Sequence, residues 1–256
     1  MRPSAPLYDA LAADYDAHFA VPHRRAYDDL AWEACAALVP RAATVVDVGC
    51  GVGRWAARLV AAGHRVIGVE PAPGMAAHAR ARLAGTDFAL LETGVEQAQL
   101  PAGGADVVLA MGSLQYAADP VAAIARCAEW VRPGGAVCVL VDSRQALVLE
   151  LLAAGRPDEA LQRLHTRRGR WQVDGYAADM HLLDAAELAA AAHAAGLMVD
   201  RVAGLLVGAS VHGRRDLQTR LQRDYAAQLT HERRLAAEPS LADLGKQLLL
   251  TAHRPT

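Results

Sequence analysis

Three glycines and two acidic residues are the part of this sequence best suited to bind a ligand. The glycines follow a predicted buried strand, and they are Gly49, Gly51 and Gly53. Glycine lets a backbone turn sharply and approach a ligand closely. Asp47 precedes this glycine turn, and Glu70 ends the next predicted strand. A carboxylate in the position of Glu70 can accept both hydroxyl groups of a ribose.

The position of Asp47 argues against a phosphate ligand. A dinucleotide-binding turn has the pattern G-x-G-x-x-G, but Arg54 occupies the place of the third glycine. An acid so close to the turn would repel a pyrophosphate, whereas it suits a cation or an ammonium group. A ribose without phosphates and an ammonium group together describe S-adenosylmethionine better than NAD. An NAD-linked oxidoreductase is therefore a less favoured alternative. A further alternative is that the glycines only form a tight turn and bind no ligand.

The elements that must position these residues alternate between strand and helix. Short apolar runs predict buried strands, and they lie at residues 44–48, 65–69, 88–91, 106–111, 136–141, 198–207 and 247–252. Helices are predicted between them, at residues 54–62, 72–83, 120–131 and 185–195. This alternation predicts an α/β fold: a Rossmann-like, doubly wound, mostly parallel seven-stranded sheet with helices on both faces. Ligands of such sheets bind beyond the carboxyl ends of the strands.

Two of the predicted helices carry clear start signals. Asp119 is placed to cap a helix that has Pro120 at its first position. Asp184 precedes another helix, and Glu187 follows at the spacing of a capping box. We therefore expect both helices to begin where these side chains stand.

Composition excludes several classes of protein. The chain is 53% hydrophobic and 21% charged, as in a globular protein with a substantial core. A formal charge of −2 gives no electrostatic footprint for nucleic acid. Its N-terminus lacks a signal-peptide core, and no apolar run reaches the ~20 residues of a membrane helix. We expect a cytoplasmic protein. None of the four cysteines has C-x-x-C spacing, so no metal site is expected.

With these residues in view, the sequence resembles the class I S-adenosylmethionine-dependent methyltransferases of the small-molecule type. The resemblance covers residues 8–141, the predicted helix from Asp184 and the last two strands. It implies S-adenosyl-L-methionine as cofactor, S-adenosyl-L-homocysteine as product, and methyl transfer to the O, N or C atom of a small organic acceptor. Natural-product biosynthesis is one setting for that reaction. Alternatives on the same fold are a cyclase, a decarboxylase or a binding module.

The resemblance also assigns residues to the cofactor. Asp47 and the turn would hold its methionine part, Glu70 its ribose, and Glu96 or a neighbour its adenine amino group. Tyr15, with Arg24 or Arg25, would bind its carboxylate. The full set is Tyr15, Arg25, Asp47, Gly49, Cys50, Gly51, Glu70, Pro71, Met75, Val95, Glu96, Gln97, Ala110 and Met111.

The acceptor is expected between the end of the fifth strand and a helical lid at residues 143–181. Many relatives have two histidines where this chain has Gln115 and Tyr116, which removes one possible base. The candidates for catalysis are His181, Asp142 and Tyr116, and those for substrate contact are His165, Trp171 and Tyr176. Residues 167–171 of the lid are predicted to be a loop.

The whole chain is predicted to be one methyltransferase-like domain, residues 1–256. Helices at residues 1–40 would cover the cofactor, and a helical insertion at residues 212–237 would precede the last strand. The expected partner is a small-molecule acceptor, with neither nucleic acid nor membrane. Monomer and homodimer both stay open.

Overall fold

The computed structural model describes residues 2–256, apart from the side chain of Arg214. Its strands are β1 (Thr44–Val48), β2 (Arg65–Val69), β3 (Phe88–Leu91), β4 (Ala105–Met111), β5 (Val131–Asp142), β6 (Arg168–Val173), β7 (Tyr176–His181), β8 (Met198–Leu205) and β9 (Gln247–His253). Seven of them form one sheet in the order β3-β2-β1-β4-β5-β9-β8. β1 to β5 run parallel, and β9 is antiparallel to both β5 and β8. The predicted fold class is confirmed.

Helices cover both faces of this sheet. They are α1 (Ala5–Leu11), α2 (Tyr15–Phe19), α3 (Pro22–Ala36), α4 (Arg54–Ala61), α5 (Pro73–Arg82), α6 (Pro120–Trp130), α7 (Arg144–Ala153), α8 (Pro157–Thr166), α9 (Ala185–Ala194), α10 (Val207–Arg223) and α11 (Tyr225–Ala236). Asp119 caps α6 by accepting from two backbone amides, and Asp184 forms the predicted capping box with Glu187 at the start of α9. Within the described residues, no helix is both long enough and apolar enough to cross a membrane.

The strands are apolar throughout because the core lies on both sides of the sheet. Val46 and Val108 pack on one face with Ile124 of α6. Val45 and Leu109, one residue along each strand, pack on the other face. Neighbouring residues of a strand point to opposite faces, so a strand buried on both sides lacks polar alternation. This packing fixes the positions of the strand ends, and the residues of the candidate site lie at those ends.

The strand order reverses at β1, which lies between β2 and β4. A reversal opens a crevice at the carboxyl ends of the strands. Gly49 is required here because a β-carbon would lie 2.3 Å from the β-carbon of Ser113, after β4. The predicted ligand-binding turn therefore stands at this crevice.

The insertion after β5 differs from the expected helical lid. α7 and α8 are present, but the predicted loop at residues 167–171 is wrong, because β6 and β7 form an antiparallel hairpin. Asp174 and Gly175 make its turn with φ angles of 49° and 82°. Farther along, the predicted insertion at residues 212–237 consists of α10 and α11 and begins earlier, at Val207.

Candidate functional site

A cavity of about 1090 Å³ opens at the crevice beyond β1, β4 and β5. The glycine turn and the strand ends form its floor. Side chains of α2, α3, α7 and α10 and of the β6–β7 hairpin form its walls. The cavity therefore lies where ligands bind to doubly wound sheets.

Asp47 is a buried carboxylate in the wall of this cavity. It is only 2% exposed, and its Oδ2 atom has no hydrogen-bond partner within the described residues. Burial, followed by the charge of Glu70, raises the pKa of Asp47 to about 7. A buried acceptor without a partner is costly. Asp47 therefore suits a ligand that brings a hydrogen-bond donor.

The backbone amides of the glycine turn already have acceptors. Those of Gly49 and Cys50 donate to the carbonyl of Val69, at 2.7 and 3.2 Å. The amide of Gly51 donates to Glu70 at 2.9 Å, and the amide of Ala72 donates to the other oxygen of that carboxylate at 2.8 Å. A phosphate-binding turn needs free amides, so this geometry does not suit a dinucleotide.

Tyr15 and Arg24 line the cavity beside the turn. A β-carbon on Gly51 would lie 3.9 Å from the ring of Tyr15. Burial raises the pKa of Tyr15 to about 12, so its hydroxyl keeps its proton and can donate. The assignment of Arg25 is corrected by the structure. Arg25 pairs with Asp29 and lies over a ring of α11, away from the cavity.

The residues assigned to ribose and adenine lie at the ends of β2 and β3, beside the cavity and not in its wall. They are Glu70, Pro71, Met75, Val95, Glu96 and Gln97. Of the two residues at the end of β4 that were assigned to the methionine part, Met111 lines the cavity and Ala110 does not. Leu7 and Leu11 of α1 pack over the fully buried Met75. Glu96 is exposed and accepts from the amide of Ala118 at 2.9 Å. The N-terminal helix thus closes this side of the crevice.

Asp142, Tyr116 and Trp171 line the cavity as well. Trp171 and Tyr116 each contact the ring of Tyr8, with centroid distances of 5.4 and 5.5 Å. Gln115 donates to Asp142 at 3.0 Å. The N-terminal helix, the end of β4 and the hairpin therefore meet in one aromatic cluster.

The histidines predicted for catalysis and substrate binding lie outside the cavity wall. His165 is exposed on α8, and Tyr176 is 48% exposed at the tip of the hairpin. His181 ends β7 and contacts the guanidinium of Arg168 at 2.7 Å. Burial and the charge of Arg168 lower the pKa of His181. His165, Tyr176 and His181, which the sequence suggested for catalysis and substrate contact, are therefore not among the residues that line the cavity.

Sequence reasoning missed several residues of the cavity wall. His23 and Tyr27 reach it from α3, and Lys246 and Gln247 from the start of β9. His23, Arg24 and Tyr27 lie within a little more than one turn of a helix, a spacing that places their side chains near each other. For Gln247 the sequence carries no signal, because only the pairing of β5 with β9 brings it to Asp142.

Known proteins resemble the chain in sequence. Residues 45–135 match a protein family described as "Methyltransferase domain". The "Ubiquinone biosynthesis O-methyltransferase" of Xanthomonas axonopodis pv. citri (strain 306) is 30% identical over 181 residues, which are 67% of this chain and 69% of that protein.

Solved structures share the fold. An S-adenosylmethionine-dependent methyltransferase from Mesorhizobium loti is 18% identical, with a TM-score of 0.60 over 87% of this chain and 97% of that one. A second, described as a possible histamine N-methyltransferase from Thermotoga maritima, is 17% identical. It has a TM-score of 0.62 over 98% of this chain and 99% of that one.

Proposed function

The chain belongs to the S-adenosylmethionine-dependent methyltransferases, and we propose that it methylates a small organic acceptor held at the Asp142 end of the cavity. S-adenosyl-L-methionine is its cofactor. Bound there, the cofactor supplies a methyl group on a cationic sulfur, which leaves as a neutral thioether. The protein then has mainly to align the acceptor with that methyl group.

The observation that carries this proposal is the partnerless Oδ2 atom of Asp47. The ammonium group of the cofactor's methionine part supplies the donor that this buried oxygen lacks. Charge-assisted hydrogen bonds are about twice as strong as neutral ones. Gly51 leaves room beside it, since a β-carbon on this residue would have only the ring of Tyr15 within 4 Å. These features support Asp47, Gly49, Cys50 and Gly51 as the cradle of the methionine part.

The other cofactor contacts are assigned by chemistry and position. Tyr15 and Arg24 carry the donors for the cofactor carboxylate, and both line the cavity next to the turn. Glu70 keeps acceptor capacity for the ribose, because each of its oxygens accepts one backbone hydrogen bond and has two lone pairs. Pro71, Met75 and residues 95–97 would then flank the adenine, beneath α1.

Several features support a small acceptor. The cavity of about 1090 Å³ exceeds the range of about 300–1,000 Å³ that is usual for one ligand, so it has room for a cofactor and a small acceptor together. Aromatic side chains of the wall favour an organic molecule. The 30% identical relative is named for O-methylation in ubiquinone biosynthesis. We treat the whole chain as one domain, in which residues 143–181 form the lid and residues 207–236 the helical insertion.

Calorimetric titration with S-adenosylhomocysteine tests the cofactor site, and titration with NADH is the matched alternative. We expect one saturable site for S-adenosylhomocysteine and none for NADH. Mass spectrometry after incubation with S-adenosylmethionine and a panel of small amines, phenols and carboxylic acids then tests the transfer. NADH binding without S-adenosylhomocysteine binding would contradict the proposal.

A further inference from the structure

On the basis of the proposed function, we infer that the acceptor is an amine whose nitrogen is held by Asp142, and that Gln247 positions this carboxylate. Asp142 is the last residue of β5, and its cross-strand partner is Gln247 on β9. Side chains of paired residues lie on the same face of the sheet. The two side chains therefore meet at the cavity, which both of them line.

Two carboxamides hold the Asp142 carboxylate from either side. Gln115 donates to its Oδ2 atom at 3.0 Å, and Gln247 donates to its Oδ1 atom at 3.4 Å. The orientation of both amides follows from the carboxylate, since turning either one would place oxygen against oxygen. Two such donors stabilise the charged form of a carboxylate and fix its direction. Asp142 is thereby set as an anion at the acceptor end.

Aromatic side chains surround this anion. Seven of the chain's twelve Phe, Trp and Tyr residues line the cavity, so its wall is enriched in rings. The negative charge of Asp142 adds to burial in raising the pKa of Tyr8, Tyr27 and Tyr116, all of which line the same cavity. An anion in a cavity lined with aromatic rings is an environment that suits an ammonium group.

Three of the cations that line the cavity are paired with acids, which reduces their opposition to a cationic ligand. Arg54 pairs with Asp28 at 2.6 Å, and Arg170 pairs with Asp179 at 2.8 Å. Lys246 forms an ion pair with Glu150. These three positive charges are thus partly neutralised, which leaves the negative charge of Asp142 better able to attract an amine.

An amine also fits the absence of a histidine at this point, where the chain has Gln115 and Tyr116. The hydroxyl of an aliphatic alcohol holds its proton far more firmly than an ammonium group does, so a carboxylate stabilised by two amide donors is too weak a base to activate an alcohol. An ammonium group gives up its proton more readily. One N–H proton passes to Asp142, the nitrogen lone pair forms the new N–C bond, and the electron pair of the broken C–S bond stays on sulfur.

Three probes of similar size test this inference: benzylamine, benzyl alcohol and benzoate, each titrated calorimetrically into protein saturated with S-adenosylhomocysteine. We expect benzylamine to bind at least tenfold more tightly than the other two. Asp142→Asn should abolish that preference. Gln247→Leu should reduce it at least threefold, whereas Gln222→Leu, at an exposed glutamine, should leave it unchanged.

The result that overturns the inference is equal binding of benzylamine and benzyl alcohol, or tighter binding of benzoate, by protein that binds S-adenosylhomocysteine normally. A preference for benzylamine that survives Asp142→Asn also overturns it. Failure to bind S-adenosylhomocysteine would instead contradict the proposed function. The charge preference is the readout that separates positioning by Gln247 from general loss of structure, since unfolding lowers the binding of all three probes alike.

Discussion

The carboxylate of Glu70 accepts a hydrogen bond from the backbone amide of Gly51 at 2.9 Å, so the end of β2 holds the glycine turn that follows β1. The same carboxylate binds the amide of Ala72 at the start of α5. Glu70 thus connects the part of the crevice assigned to the methionine of the cofactor with the part assigned to its ribose.

Replacement of Glu70 by alanine is expected to weaken the binding of S-adenosylhomocysteine by about 1–3 kcal/mol, because hydrogen bonds to a charged group are lost. Calorimetry measures the effect. Glu238→Ala, at an exposed position, is the control. Unchanged affinity in a folded Glu70→Ala protein would contradict the assignment of Glu70 to the ribose of the cofactor.

Binding of S-adenosylhomocysteine is expected to release a proton at pH 6. The pKa of Asp47 is raised to about 7, so this carboxyl group is mostly protonated in the free protein at pH 6. Pairing with an ammonium group favours the ionised form, and affinity should fall about tenfold per pH unit below the pKa.

Titrations at pH 6 in two buffers of different ionisation enthalpy measure that proton. We expect release of roughly one proton by the wild type and none attributable to this site in Asp47→Asn. Identical heats in both buffers for the wild type would mean that Asp47 does not pair with the ligand.

Glu232, which binds the backbone near the start of α10, is expected to make the stability of the folded protein depend on pH. It is fully buried, and both its oxygens accept from the amide of Gly208, at 3.2 and 3.3 Å. Burial raises the pKa of Glu232, so the folded state holds its proton more firmly than the unfolded state does. Stability should therefore fall as pH rises from the usual range of a glutamate through the raised pKa.

Melting temperatures of wild type and Glu232→Gln across the acidic to neutral range test this prediction. The wild type should lose stability relative to the variant as pH rises, since the amide has no proton to lose. Parallel curves for the two proteins would contradict it.

Trp171→Ala should weaken acceptor binding and spare the cofactor, because its ring packs on Tyr8 at the acceptor end. We expect the affinity for benzylamine to fall at least threefold in protein saturated with S-adenosylhomocysteine. Affinity for S-adenosylhomocysteine itself should stay within about threefold, or ~0.7 kcal/mol. Tyr176→Ala, on the same hairpin but 48% exposed, should change neither value. A large loss of cofactor affinity in Trp171→Ala would place the hairpin at the cofactor site.

Much of the cofactor side could be predicted because its signals are local in the sequence. A buried strand, a glycine turn and an acid at the next strand end lie within thirty residues, and strand alternation fixes how they meet. The caps at Asp119 and Asp184 were also predictable, since a capping side chain and the amide it binds are only two or three residues apart.

The acceptor side could not be predicted in the same way because its contacts are long-range. Asp142 and Gln247 are 105 residues apart and meet only through antiparallel pairing. The β6–β7 hairpin did have a local signal, since Asp174-Gly175 is typical of a tight hairpin turn. The arginine-rich sequence before it concealed the alternation of that strand. His181 was hard to place from the sequence for this reason, because it ends a strand of that hairpin.

The most direct test of the central claim, that the glycine turn binds S-adenosylmethionine, compares Gly51→Val with Gly63→Val by titration with S-adenosylhomocysteine. Both glycines have positive φ angles, of 55° and 86°, so valine strains both backbones. Only Gly51 borders the cavity, whereas a β-carbon on Gly63 meets nothing within 4 Å. We predict that Gly51→Val loses binding at least tenfold while Gly63→Val keeps the wild-type affinity. Normal binding by a folded Gly51→Val protein would contradict it.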